Sequence, residues 1–162
     1  KCNLLSTSQM DEITEMYRST DTFRNAKWVN GAKSIGKYNI PGKCKVTINS
    51  NSFSKDIADL KRKMILKDIK GINEEDLVLK VRDFDKKGII EDATIVVDDS
   101  VENLRKYGDN VIKILIDKPF NQGLAYGIKH SEHIIRLGSL RQTMKFIDHI
   151  LLDKFGIDVK EK

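Results

Sequence analysis

The chain has 162 residues, with 29 Lys and Arg against 24 Asp and Glu and a net charge of +5. That length suits one domain, 1–162, with a sizeable core. The interspersed charges argue against a dedicated polyanion binder, and no window is apolar for long enough to cross a bilayer. Two cysteines, Cys2 and Cys44, lack metal-type spacing and read as reduced, strand-borne core residues of a soluble cytoplasmic protein. The chain opens on Lys1 with no signal-like apolar run, so the expectation is that a few leading residues are missing rather than a whole element.

In chain order, Lys1–Leu5 reads as a first strand running into Ser6-Thr7-Ser8. Gln9–Arg18 follows as a helix behind a Ser8 N-cap, with Met10, Ile13, Met16 and Tyr17 at helical spacing. The segment 28–38 reads as a loop leading into a helix, closed by Pro41-Gly42. A second strand is expected over Cys44–Ile48, delivering Asn49-Ser50-Asn51-Ser52 at its end. Ser54 caps a helix through Ile69, with Ile57, Leu60, Met64 and Ile65 on one face and Lys61, Arg62, Lys63 and Lys67 on the other.

Strands three to five are expected over Asp76–Val81, Ala93–Val97 and Val111–Ile116, with a helix from Ser100 to Tyr107 ended by Gly108. A long loop over Asp117–Ser131 precedes a strand over His133–Leu137 and a final helix over Ser139–Phe155. Apolar strand-sized runs alternating with helices indicate an α/β fold of three layers, with a mostly parallel sheet covered on both faces.

In such sheets ligands gather at the carboxyl ends of the strands. The sequence places there Ser6 and Ser8, then Ser50 and Asn51, the basic pair Lys86-Lys87, and the acidic pair Asp98-Asp99. Two adjacent carboxylates at a strand end are costly unless a cation neutralises them, and Mg²⁺ is the usual partner. The structural alternative is that Asp98 caps the following helix, with Asp99 exposed beside its dipole. His130 and His133 lie at a spacing that suits a metal on one helical turn, but without further ligands they read as a surface loop. The Lys61-Arg62-Lys63 run reads as a solvated helix face, and nucleic acid is supported only by the mild positive charge.

The order of strand-one motif, hydroxyl after strand two, lysine and double aspartate resembles the haloacid-dehalogenase-like phosphatases. Within them it is most similar to the 5'(3')-deoxyribonucleotidase branch. Trp28-Val29-Asn30-Gly31-Ala32 resembles that branch's Pro-Gly-Ala turn, Arg82-Asp83-Phe84-Asp85-Lys86-Lys87 its Arg-Asp-Lys loop, and Asp117-Lys118-Pro119-Phe120-Asn121 its Pro-Tyr-Asn loop. The resemblance spans most of the chain from Trp28 onward and implies a Rossmann-like core.

In that family the first strand ends in Asp-x-Asp, whose first aspartate attacks the phosphoryl group and whose second protonates the leaving oxygen. The resemblance puts Ser6 and Ser8 at those two positions, Ser50, Asn51, Lys86 and Lys87 at phosphate-binding positions, and Asp98 and Asp99 as metal ligands. It implies weak Mg²⁺ binding, no confident catalytic residue, and a cap reduced to residues 9–27. The expectation is therefore a pseudoenzyme that binds a protein partner or a phosphorylated ligand. The alternative is an active Mg²⁺-dependent nucleotidase or phosphatase, for which Asp11 would be the only early carboxylate to recruit.

Overall fold

The computed structural model describes residues 6–81, 89–122 and 133–159. The expected first strand with Cys2, the Arg82–Lys87 segment, and His130 with most of its loop lie outside them. The fold is mixed α/β with all-parallel strands, as the alternating pattern predicts, but the described strands form two sheets, β1-β2 and β3-β4-β5. The chain divides into two compact units: Lys1–Trp28 with Asn39–Lys87, and Val29–Tyr38 with Gly88–Lys162.

The first unit opens with α1 (Thr7–Arg18) and the short α2 (Thr20–Arg24), where one helix and a loop were expected. The N-cap of α1 is Ser6, two residues ahead of the expected Ser8. A reciprocal pair decides this: the Gln9 N–H donates to Ser6 Oγ, while the Ser6 N–H donates to Gln9 Oε1. Strand β1 is Ile48–Ser52, followed by α3 (Lys55–Asp68) and by β2 (Leu77–Val81), paired in parallel from Ile48 with Leu77 to Ser52 with Val81.

The expected strand over Cys44–Ile48 is therefore corrected. Cys44 closes a Pro41-Gly42 turn through a single antiparallel bridge to Ile40, and the ladder begins only at Ile48. The sequence Asn-Ser-Asn-Ser is the strand itself rather than its exit. Cys44 is a half-buried free thiol, not a core residue. Ser54 caps α3 by accepting from the Ile57 N–H, and Ile57, Ala58 and Ile65 carry the buried face. Buried Asp76 ties the turn before β2, accepting from the Asn73 N–H and from the side-chain amide of Asn39.

In the second unit, the 3₁₀ helix Ala32–Tyr38 is fixed to α5 (Leu140–Phe155). Tyr38 donates its hydroxyl to the Met144 carbonyl at 2.8 Å, and Lys37 pairs with Asp148 at 2.8 Å. Strands β3 (Ile95–Asp98), β4 (Ile112–Ile116) and β5 (Ile134–Leu137) form the sheet, and α4 (Val101–Arg105) connects the first two. The central position of β4 explains its fully buried Ile114 and Leu115. Leu115 packs with Val101 and Leu104 of α4, flanked by Val96 and Ile134. Lys113 is also buried on β4; its ammonium reaches the Tyr107 carbonyl beyond the end of α4 and lies 3.6 Å from the exposed Asp109. Ser139 caps α5, and Gly156 closes it in the left-handed conformation that favours glycine. Among the described residues, no helix is long and apolar enough to cross a membrane.

Candidate functional site

Three groups hold the described candidate residues. Ser6 and Ser8 stand together at the exposed start of α1, their hydroxyl oxygens 3.1 Å apart. Ser6 also donates to Gln9 Oε1 while accepting from the Gln9 N–H. These contacts make a local capping network, in which the side chain facing the Ser6 hydroxyl is an amide.

The second group is built on β1 and α3. Ser50 and Ser52 alternate with Asn49 and Asn51 along the strand, so the two serines share a face. Lys61 of α3 donates to Ser50 Oγ at 3.1 Å and to the Asn51 carbonyl at 2.6 Å, and Ser50 Oγ lies 3.3 Å from the same carbonyl. Ser50 is thus a mid-strand residue receiving an ammonium donor, not the turn residue expected after a strand. Lys61 is half-buried over that strand, which corrects its placement on a solvated face. Ser52 is 2% exposed, and its Oγ has no hydrogen-bond partner among the described residues. The group therefore joins the ammonium of Lys61, seven residues past the N-cap of α3, to a hydroxyl and a backbone carbonyl of β1. Asp56 in the first turn complements that helix dipole.

The third group lies at the carboxyl end of the three-stranded sheet. Asp98 ends β3 with only 9% exposure, and Oδ1 accepts from the Ser100 N–H at 2.9 Å and from Asn103 Nδ2 at 3.2 Å. Ser100, not Asp98, is the N-cap of α4, so the helix-capping alternative is corrected to a turn that fixes the carboxylate one step earlier. Asp99 is exposed. Its carbonyl accepts from Asn121 Nδ2 at 2.8 Å, and the same amide donates to the Ile116 carbonyl at 2.8 Å. Asn121 Oδ1 accepts from the Lys118 N–H at 2.9 Å, and Arg136, paired with Asp117, donates to the Asn121 carbonyl. Asn121 is fully buried and saturated, a staple joining the carboxyl ends of β3 and β4.

No group of three or more His, Cys, Asp and Glu side chains suited to a metal ion occurs among the described residues. Asp98 and Asp99 supply two carboxylates, one with an oxygen already committed to two N–H donors. Mg²⁺ is commonly held by one or two carboxylates with several waters, so these two side chains would be its ligands among the described residues, and no chemical step is routed through it. His133 is exposed before β5 at φ 48°. Lys86 and Lys87 lie outside the described residues.

Sequence reasoning missed Lys61, Asn121 and Arg136 as organising residues. Lys61 sits in a basic run that looks uniformly solvated, and the signal available was the unusually polar strand it covers. The chain was compared with protein-family models, curated proteins and solved structures, and none matches.

Proposed function

We propose that this chain is a haloacid-dehalogenase-like protein whose own residues bind a phosphorylated ligand without hydrolysing it. The observation that carries this reading is the Lys61 ammonium held against Ser50 Oγ and the Asn51 carbonyl on β1. A cation beside a hydroxyl is the chemistry that recognises a phosphate, because charge-assisted hydrogen bonds are roughly twice as strong as neutral ones. Strand β1 runs into α3 through Phe53 and the Ser54 N-cap, and Ser50 and Lys61 face each other from the middle of the strand and the second turn of the helix.

The absence of turnover follows from the Ser6 and Ser8 pair. A serine hydroxyl needs an adjacent base to attack phosphorus, and Gln9 is not one. Without a group that titrates near neutrality at Ser8, the general-acid contribution, about 10²–10⁴-fold, is missing as well.

Titration of inorganic phosphate into wild-type protein and into Lys61→Met tests the reading. Saturable binding in the wild type that weakens at least tenfold in a folded Lys61→Met protein is the expected result; tenfold corresponds to about 1.4 kcal/mol, within the worth of one charge-assisted bond. Equal binding in the two proteins, or none in the wild type, overturns it.

A further inference from the structure

We propose that Asn30 is a site of spontaneous covalent modification, in which its side-chain amide is lost through cyclisation onto the Gly31 backbone nitrogen. This goes beyond the ligand-binding reading and does not depend on it. Asn30 and Gly31 occupy the two central positions of a four-residue turn, closed by the Ala32 N–H donating to the Val29 carbonyl at 2.9 Å. Gly31 has φ 91° while Asn30 has a negative φ, which makes this a type II turn. Glycine next to asparagine removes the side chain that would otherwise block approach of the backbone nitrogen to the amide carbon.

The local bonding leaves both reacting groups available. Asn30 is exposed, and among the described residues no hydrogen bond holds its side-chain amide or engages the Gly31 N–H. The Gly31 carbonyl is anchored, accepting from the Ser34 N–H at 3.1 Å and from Ser34 Oγ at 2.9 Å. The ends of the turn are therefore fixed while its central peptide plane can rotate about the flanking Cα bonds. That rotation interconverts type II and type I geometry and lets the Gly31 nitrogen approach the Asn30 side-chain carbon without unfolding the 3₁₀ helix behind it.

The chemistry balances with water alone. The Gly31 nitrogen gives up its proton to base and attacks Asn30 Cγ; the new N–C bond forms as the C–NH₂ bond breaks, and ammonia leaves with a proton from solvent. Water then opens the resulting cyclic imide. Opening at the former side-chain carbonyl gives aspartate, and opening at the backbone carbonyl gives a β-linked isoaspartate. The β-linked product lengthens the backbone by one carbon directly before Gly31, where even an added Cβ would meet Met144 Sδ at 3.2 Å. It therefore perturbs the attachment of the 3₁₀ helix Ala32–Tyr38 to α5.

Two other asparagines provide internal controls. Asn49 and Asn51 each precede a serine, but both lie within the β1-β2 ladder, where the extended backbone resists the rotation that cyclisation needs. The test incubates the purified full chain in mildly alkaline buffer below its unfolding temperature, followed by peptide mass spectrometry and enzymatic methyl-labelling of isoaspartate. Conversion at Asn30 should rise with pH, exceed that at Asn49 and Asn51 by more than an order of magnitude, yield both isomers, and leave residue 30 unlabelled in Asn30→Gln. The proposal is overturned if Asn30 stays intact while Asn49 or Asn51 converts, if all three convert at similar rates in the folded protein, or if labelling at position 30 persists in Asn30→Gln.

Discussion

Replacing Asn121 by alanine removes three hydrogen bonds at once from a fully buried position. Two of them, at 2.8 Å, satisfy the Asp99 and Ile116 carbonyls at the ends of β3 and β4, and the third, at 2.9 Å, satisfies the Lys118 N–H. Each neutral bond contributes about 0.5–1.5 kcal/mol, and each buried group left without a partner costs about 1–3 kcal/mol. Partial rehydration of the freed carbonyls offsets some of this, so the expected loss is about 2–4 kcal/mol. For a slope of about 2 kcal/mol per molar urea, the midpoint should fall by about 1–2 M with the slope unchanged. Urea titration followed by circular dichroism gives the midpoint, and amide exchange of β4 localises the effect to this sheet. Asn121→Asp should be worse still near neutral pH, because it faces two carbonyl oxygens with an acceptor and recovers only as acid protonates it. A loss below about 0.5 kcal/mol in Asn121→Ala, the range of ordinary surface changes, would refute the staple.

Three further outcomes follow from the same structure. Asp98→Ala should lose about 1–2 kcal/mol by freeing the Ser100 N–H and the Asn103 amide, whereas exposed Asp99→Ala should change stability by less than about 0.5 kcal/mol; equal values in thermal denaturation would contradict the division of labour between the two carboxylates. Tyr38→Phe should cost about 1 kcal/mol by removing the hydroxyl's bond to the Met144 carbonyl, read as a lower urea midpoint and faster exchange in α5. Burial pushes the Cys44 thiol up, so the folded state is favoured while the thiol is neutral and loses that preference as pH climbs through the unfolded value toward the folded one. Alkylation of Cys44 near neutral pH, followed by peptide mapping, should be slower in the folded chain than in urea, and the gap should narrow in strongly alkaline buffer.

The elements legible in the sequence are those whose boundaries are chemically punctuated. Ser54 and Ser139 each precede an amphipathic run, and both helices start where those caps place them. The expected Ser8 cap of α1 gives way to Ser6, whose Ser-x-x-Gln spacing to Gln9 is present in the sequence and forms the capping box. Strand β1 was displaced because its residues, Asn49 to Ser52, show no apolar alternation, while the preceding Val46-Thr47-Ile48 does. What makes that polar segment a strand is tertiary: its register with Leu77–Val81 and the Lys61 ammonium laid over it. The Asn121 staple was illegible for a similar reason, since one of its partners lies 22 residues earlier in the chain. Such a bond leaves no local pattern.

Phosphorus NMR of a phosphate monoester mixed with the wild-type chain, Mg²⁺ present, tests the central claim most directly because one spectrum reports binding and hydrolysis together. The account predicts a monoester resonance that shifts or broadens with added protein, recovers toward its free position in Lys61→Met, and shows no growth of an inorganic phosphate signal. An unperturbed resonance would contradict binding. Accumulation of inorganic phosphate at an enzyme-like rate, on the order of 1–10³ s⁻¹, would show an active phosphatase instead.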